Sequence, residues 1–372
     1  TYVDPADFGD MEEAIKRLAK KLPDAAIRIE DKIGEGQFGS VSRAVWTKDS
    51  GEKIDVAVKS IKEDCTLKAK KDFLMEAAMI VQFEHRNIVR VEGVVLSKGR
   101  LKMIVMEYLA NKSLDNYLRE NNHKFTKLQL AGMASGVAAG MEYLSDKGFI
   151  HRDLAARNVL VGDMMLCKIA DFGLSREVQQ DDEEDQAQYT TEGGQIALRW
   201  TEPEAIISRG FTTASDIWSY GITLWEIFSY AARPYGEWGN KKIMHYVNQG
   251  YRLAPPEKCP RCIYSLMLRC QLNDRSKRPT FSNIVQFFDN LFRLPDDLDM
   301  MVYLLQIKFD SVADISISSW LEDLKLECYV RLFVNSNIVN VKNLLVLNEK
   351  RLTDMGITSL NHIKKILKAI QS

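Results

Sequence analysis

Several short segments of this 372-residue chain carry residue types whose spacing suits chemistry on a phosphate. In His151-Arg152-Asp153-Leu154-Ala155-Ala156-Arg157-Asn158, the aspartate can accept the proton of an attacking hydroxyl. The asparagine offers an amide oxygen to a hard cation such as magnesium. Asp171, in Asp171-Phe172-Gly173, would bridge the same cation to phosphate oxygens. Alone, Asp-Phe-Gly is a common turn; its weight comes from following the Asp153 loop after one strand-like hairpin. Upstream, Gly34-Glu35-Gly36-Gln37-Phe38-Gly39-Ser40-Val41 would let backbone N–H groups approach phosphates closely. That spacing also fits dinucleotide folds, which need a helix next, whereas Ser40–Trp46 reads as a strand. Taken by itself the segment could be an ordinary hairpin. Lys59 closes the apolar run Val56-Ala57-Val58 and can reach the α- and β-phosphates if an anion holds it. Glu76, on the next helix, is the candidate anion. Read singly, Lys59 is an exposed edge residue and Glu76 a solvated one.

These groups need elements to position them. Strand character begins at Ile27, and Ile54, Val56 and Val58 alternate as in a half-buried strand. Helical periodicity covers Lys70–Phe83, and further strands are expected at Ile88–Val95 and Met103–Met106. Beyond Asn111 the pattern is mostly helical up to about Phe292, and Ser215–Phe228, apolar nearly all round, reads as a buried helix. Strands first and helices afterwards predict two lobes with a cleft between them. Before them, Met11, Ile15, Leu18 and Leu22 share one face of a short helix that Pro23 should stop. That face needs a partner. At the other end the stripes Leu326, Tyr329, Leu332, Phe333 and Leu360, Ile363, Leu367, Ile370 predict the core of a small helical unit. The expected division is 1–26 leader, 27–293 main domain, 294–312 linker and 313–372 helical unit.

Composition is that of an ordinary globular chain, and a formal net charge of -1 gives no general pull towards nucleic acid. Six scattered cysteines suit a reducing compartment. Cys259-Pro260-Arg261-Cys262 lacks the second Cys/His pair of a zinc site. No apolar run is long enough to span a bilayer. The acidic stretch Asp181–Asp185 reads as a flexible loop.

In order, spacing and context the phosphate-handling segments resemble those of protein kinases. The resemblance implies an α+β two-lobed kinase fold, with a mostly β N-lobe and a mostly α C-lobe. Serine/threonine kinases usually place a lysine two residues after the catalytic aspartate. Here that position is Ala155 and the cation is Arg157, as in tyrosine kinases, where a longer phenol needs the cation set back. Arg199-Trp200 before Thr201-Glu202-Pro203-Glu204 also has the tyrosine-kinase form. Glu204 is expected to pair with Arg278, and Asp216 to anchor the catalytic-loop backbone.

The likeness narrows further. Tyr189–Trp200, Phe211–Asp216, Gly250–Leu253 and Lys71–Glu76 resemble the Eph receptor tyrosine kinases. Thr1–Pro5 is similar to that family's juxtamembrane segment, and Trp320–Leu324 with Met355–Leu367 to its SAM domain. The resemblance implies transfer of the ATP γ-phosphoryl group to protein tyrosines, with ATP and Mg2+ as cofactors. It implies a catalytic set of Asp153, Lys59, Glu76 and Arg157, and magnesium held by Asn158 and Asp171. The implied nucleotide pocket is Ile33, Gly34, Gly36, Gly39, Val41, Ala57, Lys59, Met106, Glu107 and Leu160, with Met106 as gatekeeper. Tyr189 and Tyr2 become the implied phosphorylation sites. The implied partners are protein tyrosine substrates, a second copy in trans, phosphotyrosine-binding adaptors, other SAM domains, and an ephrin-type ligand for an extracellular part; nucleic acid is not among them. The implied location is the cytoplasmic side of a plasma-membrane receptor.

Departures from the family pattern are Phe8 at a second regulatory tyrosine (natural or engineered), Ala197 for a proline in the peptide-docking loop, Glu202 for alanine and Gln271 for tryptophan. The acidic insertion is also longer. A pseudokinase scaffold acting through its SAM-like unit is the alternative; loss of Lys59, Asp153 or Asp171 would mark it, and all are present.

Overall fold

The computed structural model describes residues 11–35, 39–61, 65–172, 176–177, 189–190, 197–208 and 210–293, and in the C-terminal segment 320–321, 324–329, 332–333, 344 and 347–371. Tyr2, Phe8, Gly36, the acidic stretch 181–185 and the expected linker 294–312 lie outside the described residues. Two compact units result: one holds the chain up to Asn122 with Ala131–Tyr189, the other His123–Leu130 and everything from Thr190.

In the first unit, β1 (Ile27–Glu35), β2 (Gly39–Thr47), β3 (Lys53–Ile61), β4 (Val91–Ser97) and β5 (Arg100–Glu107) form one antiparallel sheet in the order β1-β2-β3-β5-β4. β3 is therefore central, and Val56, Ala57, Val58 and Lys59 are all buried, on both faces of the strand. Gly39 begins β2 against Ser60, and a Cβ there would lie 1.8 Å from the Ser60 carbonyl oxygen. Only glycine lets this pair of strands close. The helix α2 (Leu67–Ile80) is capped by Thr66, whose Oγ1 accepts from Ala69 N at 3.1 Å. It starts three residues earlier than its periodicity suggests because the cap, not the apolar stripe, sets its beginning. Phe73, Glu76, Ala77 and Ile80 are buried on it.

The leader helix α1 (Met11–Leu18) puts Ile15 fully into a cluster with Phe73, Ala77, Val94, Leu101 and Ile104. Burial of that side chain contributes about 1.5–3 kcal/mol. The helix ends at Leu18 and not at Pro23. Val94 N donates to Lys20 O and Leu22 N to Val94 O, both at 2.8 Å, so the chain makes an isolated parallel bridge at Lys21 beside β4. Gly93 permits this approach, since a Cβ there would lie 2.6 Å from Lys20 O. Leu22 accordingly leaves the Ile15 face and joins Ile27, Trp46, Val56 and Val95 in a second cluster.

The first unit is larger than a sheet with one helix. It also holds α3 (Leu114–Glu120), most of α4 (Lys127–Asp146), and the two-residue strands β6 (Phe149–Ile150) and β9 (Arg176–Glu177), which pair. The hairpin β7 (Val159–Val161) with β8 (Cys167–Ile169) belongs here as well. Asn87 explains the attachment: Ile169 N donates to its carbonyl at 2.8 Å, and its Nδ2 donates to Cys167 O at 2.8 Å. Val89 N then donates to Ile169 O at 3.0 Å. A turn preceding β4 is thereby laced to β8.

The second unit is helical. α5 (Pro203–Ser208) and the short strand β11 (Gly210–Phe211) precede α6 (Thr213–Phe228), which is buried almost throughout. A capping box of Thr212 and Ser215 opens α6. α7 (Asn240–Asn248), α8 (Arg261–Cys270) and α9 (Phe281–Arg293) follow. Toward the C-terminus, α10 (Glu349–Asp354) and α11 (Leu360–Gln371) help enclose a separate core that includes Leu321, Leu326, Phe333, Ile363 and Ile366. Leu360 is a correction to the expected stripe: it is 60% exposed, because it lies in the first turn of α11. Tyr329 is half-buried beside that core, and its hydroxyl meets His362 Nδ1 at 2.8 Å.

Candidate active site

Lys59 sits opposite Val41 on β2 and Ile104 on β5. Its central position buries the ammonium, so an anion must face it. Glu76 supplies the anion from α2: Lys59 Nζ donates to Oε1 at 2.6 Å and Oε2 at 2.8 Å. Asp171 Oδ1 lies 3.7 Å from the same nitrogen. Burial opposes the lysine charge, but Glu76 and Asp171 outweigh it and hold the Lys59 pKa above the ordinary lysine range. Burial also pushes Glu76 upward against the pull of Lys59.

Asp153 follows Arg152, whose φ of 71° is in the left-handed region. Such a backbone costs roughly 1–2 kcal/mol for a residue with a side chain. It turns the loop so that Asp153 faces its own downstream residues. Arg157 donates from Nη2 to Asp153 Oδ1, while Asn158 Nδ2 donates to Oδ2 at 2.8 Å and to the Asp153 carbonyl at 2.6 Å. Asp153 N donates to His151 Nδ1 at 3.3 Å. The carboxylate is thus oriented by two side chains, and one fifth of it is exposed.

Asn158 is buried, and with Nδ2 committed to Asp153 its Oδ1 is the atom left to ligate. Ala170 N donates to Asn158 O at 2.9 Å, which ties the loop to the residue before Asp171. Asp171 has φ 57°, and its side chain is 54% exposed. Phe172 is fully buried, with its ring against Phe83 and His151. Asp171 and Asn158 offer only oxygens, which suits magnesium. Among the described residues no group of three or more His, Cys, Asp or Glu makes a ready cage. A magnesium ion here would draw its other ligands from water and phosphate, as magnesium usually does.

Of the expected nucleotide pocket, Ala57 and Gly39 are buried, while Gly34, Val41, Met106, Glu107 and Leu160 are half-buried. Ile33 is 47% exposed, at the end of β1. Gly36 lies outside the described residues. Glu107 has a structural use that sequence reading missed. Its Oε1 accepts from Lys168 Nζ at 2.6 Å and Arg90 N at 2.7 Å, and its own N–H donates to Arg90 O at 3.0 Å. No sequence spacing flags a pair so distant along the chain. Tyr189 stands on the two-residue strand β10 (Tyr189–Thr190), and Tyr2 lies outside the described residues.

In the second unit Asp216 is buried near the start of α6. The expected pairing of Glu204 with Arg278 does not occur. Arg278 Nη1 instead lies 2.5 Å from Oε2 of Glu202, which is completely buried, and Glu204 is 59% exposed. The physical reason is competition: Glu202, where the resemblance leads one to expect alanine, is fully buried and reaches Arg278, while Glu204 reaches Arg275. Its one signal in the sequence was that replacement.

A buried lysine–glutamate pair, an oriented aspartate and an oxygen-only ligand pair fit phosphoryl transfer. Comparison with known proteins agrees. The family model for protein tyrosine and serine/threonine kinases matches residues 27–288, and the SAM (sterile alpha motif) model matches 310–372. The chain belongs to the protein tyrosine and serine/threonine kinase family, with the α+β kinase fold followed by a SAM domain.

Its likeness to Eph receptors runs along its whole length. It is 42% identical to ephrin type-A receptor 5 of Gallus gallus and of Homo sapiens, with all of this chain covered and 37% and 36% of those proteins. Ephrin type-A receptor 4-A of Xenopus laevis is also 42% identical, over all of this chain and 38% of its own length. The chain therefore spans less than two fifths of the length of these relatives. No helix among the described residues is long and apolar enough to cross a membrane.

Proposed function

We propose that this chain is the kinase and SAM part of an Eph-type receptor tyrosine kinase, and that it transfers the γ-phosphoryl group of ATP to protein tyrosines. The observation that carries the reading is Lys59 held by both oxygens of Glu76 with Asp171 3.7 Å away, in the same unit as the Asp153–Asn158 loop. Lys59 and Asp171 face one region, where the ammonium can draw charge from phosphate oxygens. Magnesium, when bound, would supply further charge neutralisation on those oxygens. Asn158 Oδ1 and an Asp171 oxygen would hold it. Asp153 takes the phenolic proton as the tyrosine oxygen bonds to the γ-phosphorus and the bond to the β-phosphate bridging oxygen breaks, leaving ADP. Arg157 orients Asp153, and its place two residues beyond Ala155 leaves room for a phenol.

The division into a leader of 1–26, a kinase domain of 27–293, a linker of 294–312 and a SAM domain of 313–372 belongs to this proposal. So does control by phosphorylation of Tyr189 and Tyr2 in trans, and recruitment of phosphotyrosine-binding adaptors and SAM partners. An ephrin-type ligand would act on an extracellular part, and this chain would lie on the cytoplasmic face of the plasma membrane.

The test is tyrosine phosphorylation of a generic tyrosine copolymer and of the chain itself, with ATP and Mg2+. The unmodified chain is expected to be active. Asp153→Asn should lose about 1,000-fold or more of that rate with an unchanged thermal melt. An inactive unmodified chain would favour the scaffold, and an active Asp153→Asn would sink the assignment of the base.

A further inference from the structure

The face of the first sheet that carries the expected nucleotide pocket continues outward in a row of polar side chains. Residues paired directly across strands share a face, and residues two apart on a strand share it too. Ala57 pairs with Arg43 on β2 and with Met106 on β5, so Arg43 stands on the pocket's face, two residues beyond Val41. Arg43 Nη2 donates to both oxygens of Asp55, two residues before Ala57, at 3.1 and 3.0 Å. Its guanidinium carbon lies 5.4 Å from the centre of the Tyr108 ring, within the range of a cation–π contact. Glu30 Oε2 on β1 lies 3.9 Å from its Nε. One side chain on β2 thus meets β1, β3 and the chain just after β5, all within the first unit.

Taken alone, the Arg43–Asp55 pair is an ordinary cross-strand contact. Its side chains are 38% and 45% exposed, and such a pair adds little stability. The Tyr108 contact gives it a second effect, because Tyr108 directly follows Glu107. The pairing of β3 with β5 ends at Val56 and Glu107. Glu107 is further held by Lys168 on β8 and by Arg90 before β4. One residue on, where the sheet pairing has stopped, Arg43 takes hold of Tyr108 from β2. The chain that borders the expected pocket is therefore tied at two adjacent residues, from two different directions.

We propose that Arg43, stacked on Tyr108 and locked by Asp55, is a positioning residue for the nucleotide: it fixes the outer edge of the adenine slot by tying the chain after β5 to β2. The proposal rests on the kinase reading above. Lys59, assigned there to the phosphates, lies two residues farther along β3 than Ala57, opposite Val41 and not Arg43. The effect of Arg43 accordingly falls on nucleotide affinity.

The experiment is calorimetric titration of the full chain with ADP and Mg2+, joined to steady-state kinetics with ATP and a tyrosine peptide varied separately. Arg43→Ala is expected to weaken ADP binding and raise the ATP KM about three- to fivefold, the size of one exposed cation–π contact. The peptide KM should stay within about twofold. Tyr108→Ala should weaken ADP binding as much, and Tyr108→Phe, which keeps the ring, should lose less. Arg43→Ala combined with Tyr108→Ala should bind no more weakly than either alone, since both remove one contact. Additive losses overturn the proposal, as does Tyr108→Phe binding as weakly as Tyr108→Ala. So does unchanged ADP affinity in Arg43→Ala, whatever its thermal melt, because the pair would then serve the sheet alone. Arg28→Ala removes the neighbouring guanidinium from Glu30 and should leave ADP affinity as it is; a loss equal to that of Arg43→Ala would point to surface charge and overturn the stack. An unmodified chain that binds no ADP would overturn the kinase reading itself, which the other outcomes leave standing.

Discussion

Lys59 and Glu76 each neutralise a charge that the other could not bear alone. Both side chains are more than nine-tenths buried, so removing one strands the other in a site with little water. Lys59→Met should therefore abolish phosphotransfer and also cost about 3–5 kcal/mol of stability, the range for breaking a buried pair from one side. Lys59→Met combined with Glu76→Leu should recover most of that stability and none of the activity. Chemical denaturation of the three proteins checks the first claim, and a phosphotransfer assay the second. If the double variant were no more stable than the single one, burial of an unpaired Glu76 would not be the cause. The pair was legible because a lysine closing an apolar strand after a glycine-rich turn needs an anion on the next helix. The Glu202 pairing was not, since an acid standing where alanine is expected does not say which of Glu202 and Glu204 reaches Arg278; tertiary competition decides between them.

At the scale of elements, α1 is the clearest case of a face that needs a partner. Ile15 is completely buried, and its neighbours come from α2, β4 and β5. Ile15→Ala should lower stability by about 2–5 kcal/mol, the range for truncating a buried isoleucine, whereas Arg17→Ala on the exposed side should change it little. Thermal melts of the two variants, compared with the unmodified chain, measure the difference. Equal melts would mean that the leader is not docked in solution. The helix and its apolar face could be read from spacing alone. Its end could not: Lys21 bridges to Val94 because Gly93 leaves room for the chain against β4, a pairing some 70 residues distant that local periodicity does not encode. The same holds for the extent of the first unit. The Asn87 hydrogen bonds that lace the β7–β8 hairpin to the turn before β4 join residues 80 positions apart, while sequence pattern suggested only strands followed by helices.

For the whole molecule, the cores indicate how many parts unfold as separate bodies. The cluster around Leu321, Phe333, Leu352 and Ile366 draws every buried member from the segment matched by the SAM model. The clusters around Ile15 and Trp46 lie wholly within the segment before residue 110. A core whose residues are contiguous in sequence can melt without breaking another, because cooperativity extends only as far as shared packing. Phe333 is the largest fully buried side chain of the SAM core. Phe333→Ala should cost about 3–5 kcal/mol there, which for so small a domain is most of its stability. Scanning calorimetry of the full chain should then show the SAM transition lost or moved far down, with the remaining transition in place. Phosphotransfer to a free peptide should stay within about twofold, since no residue of the Lys59–Asp153–Asp171 site belongs to that core. A shift of both transitions together would instead mean that the kinase and SAM parts unfold as one cooperative body.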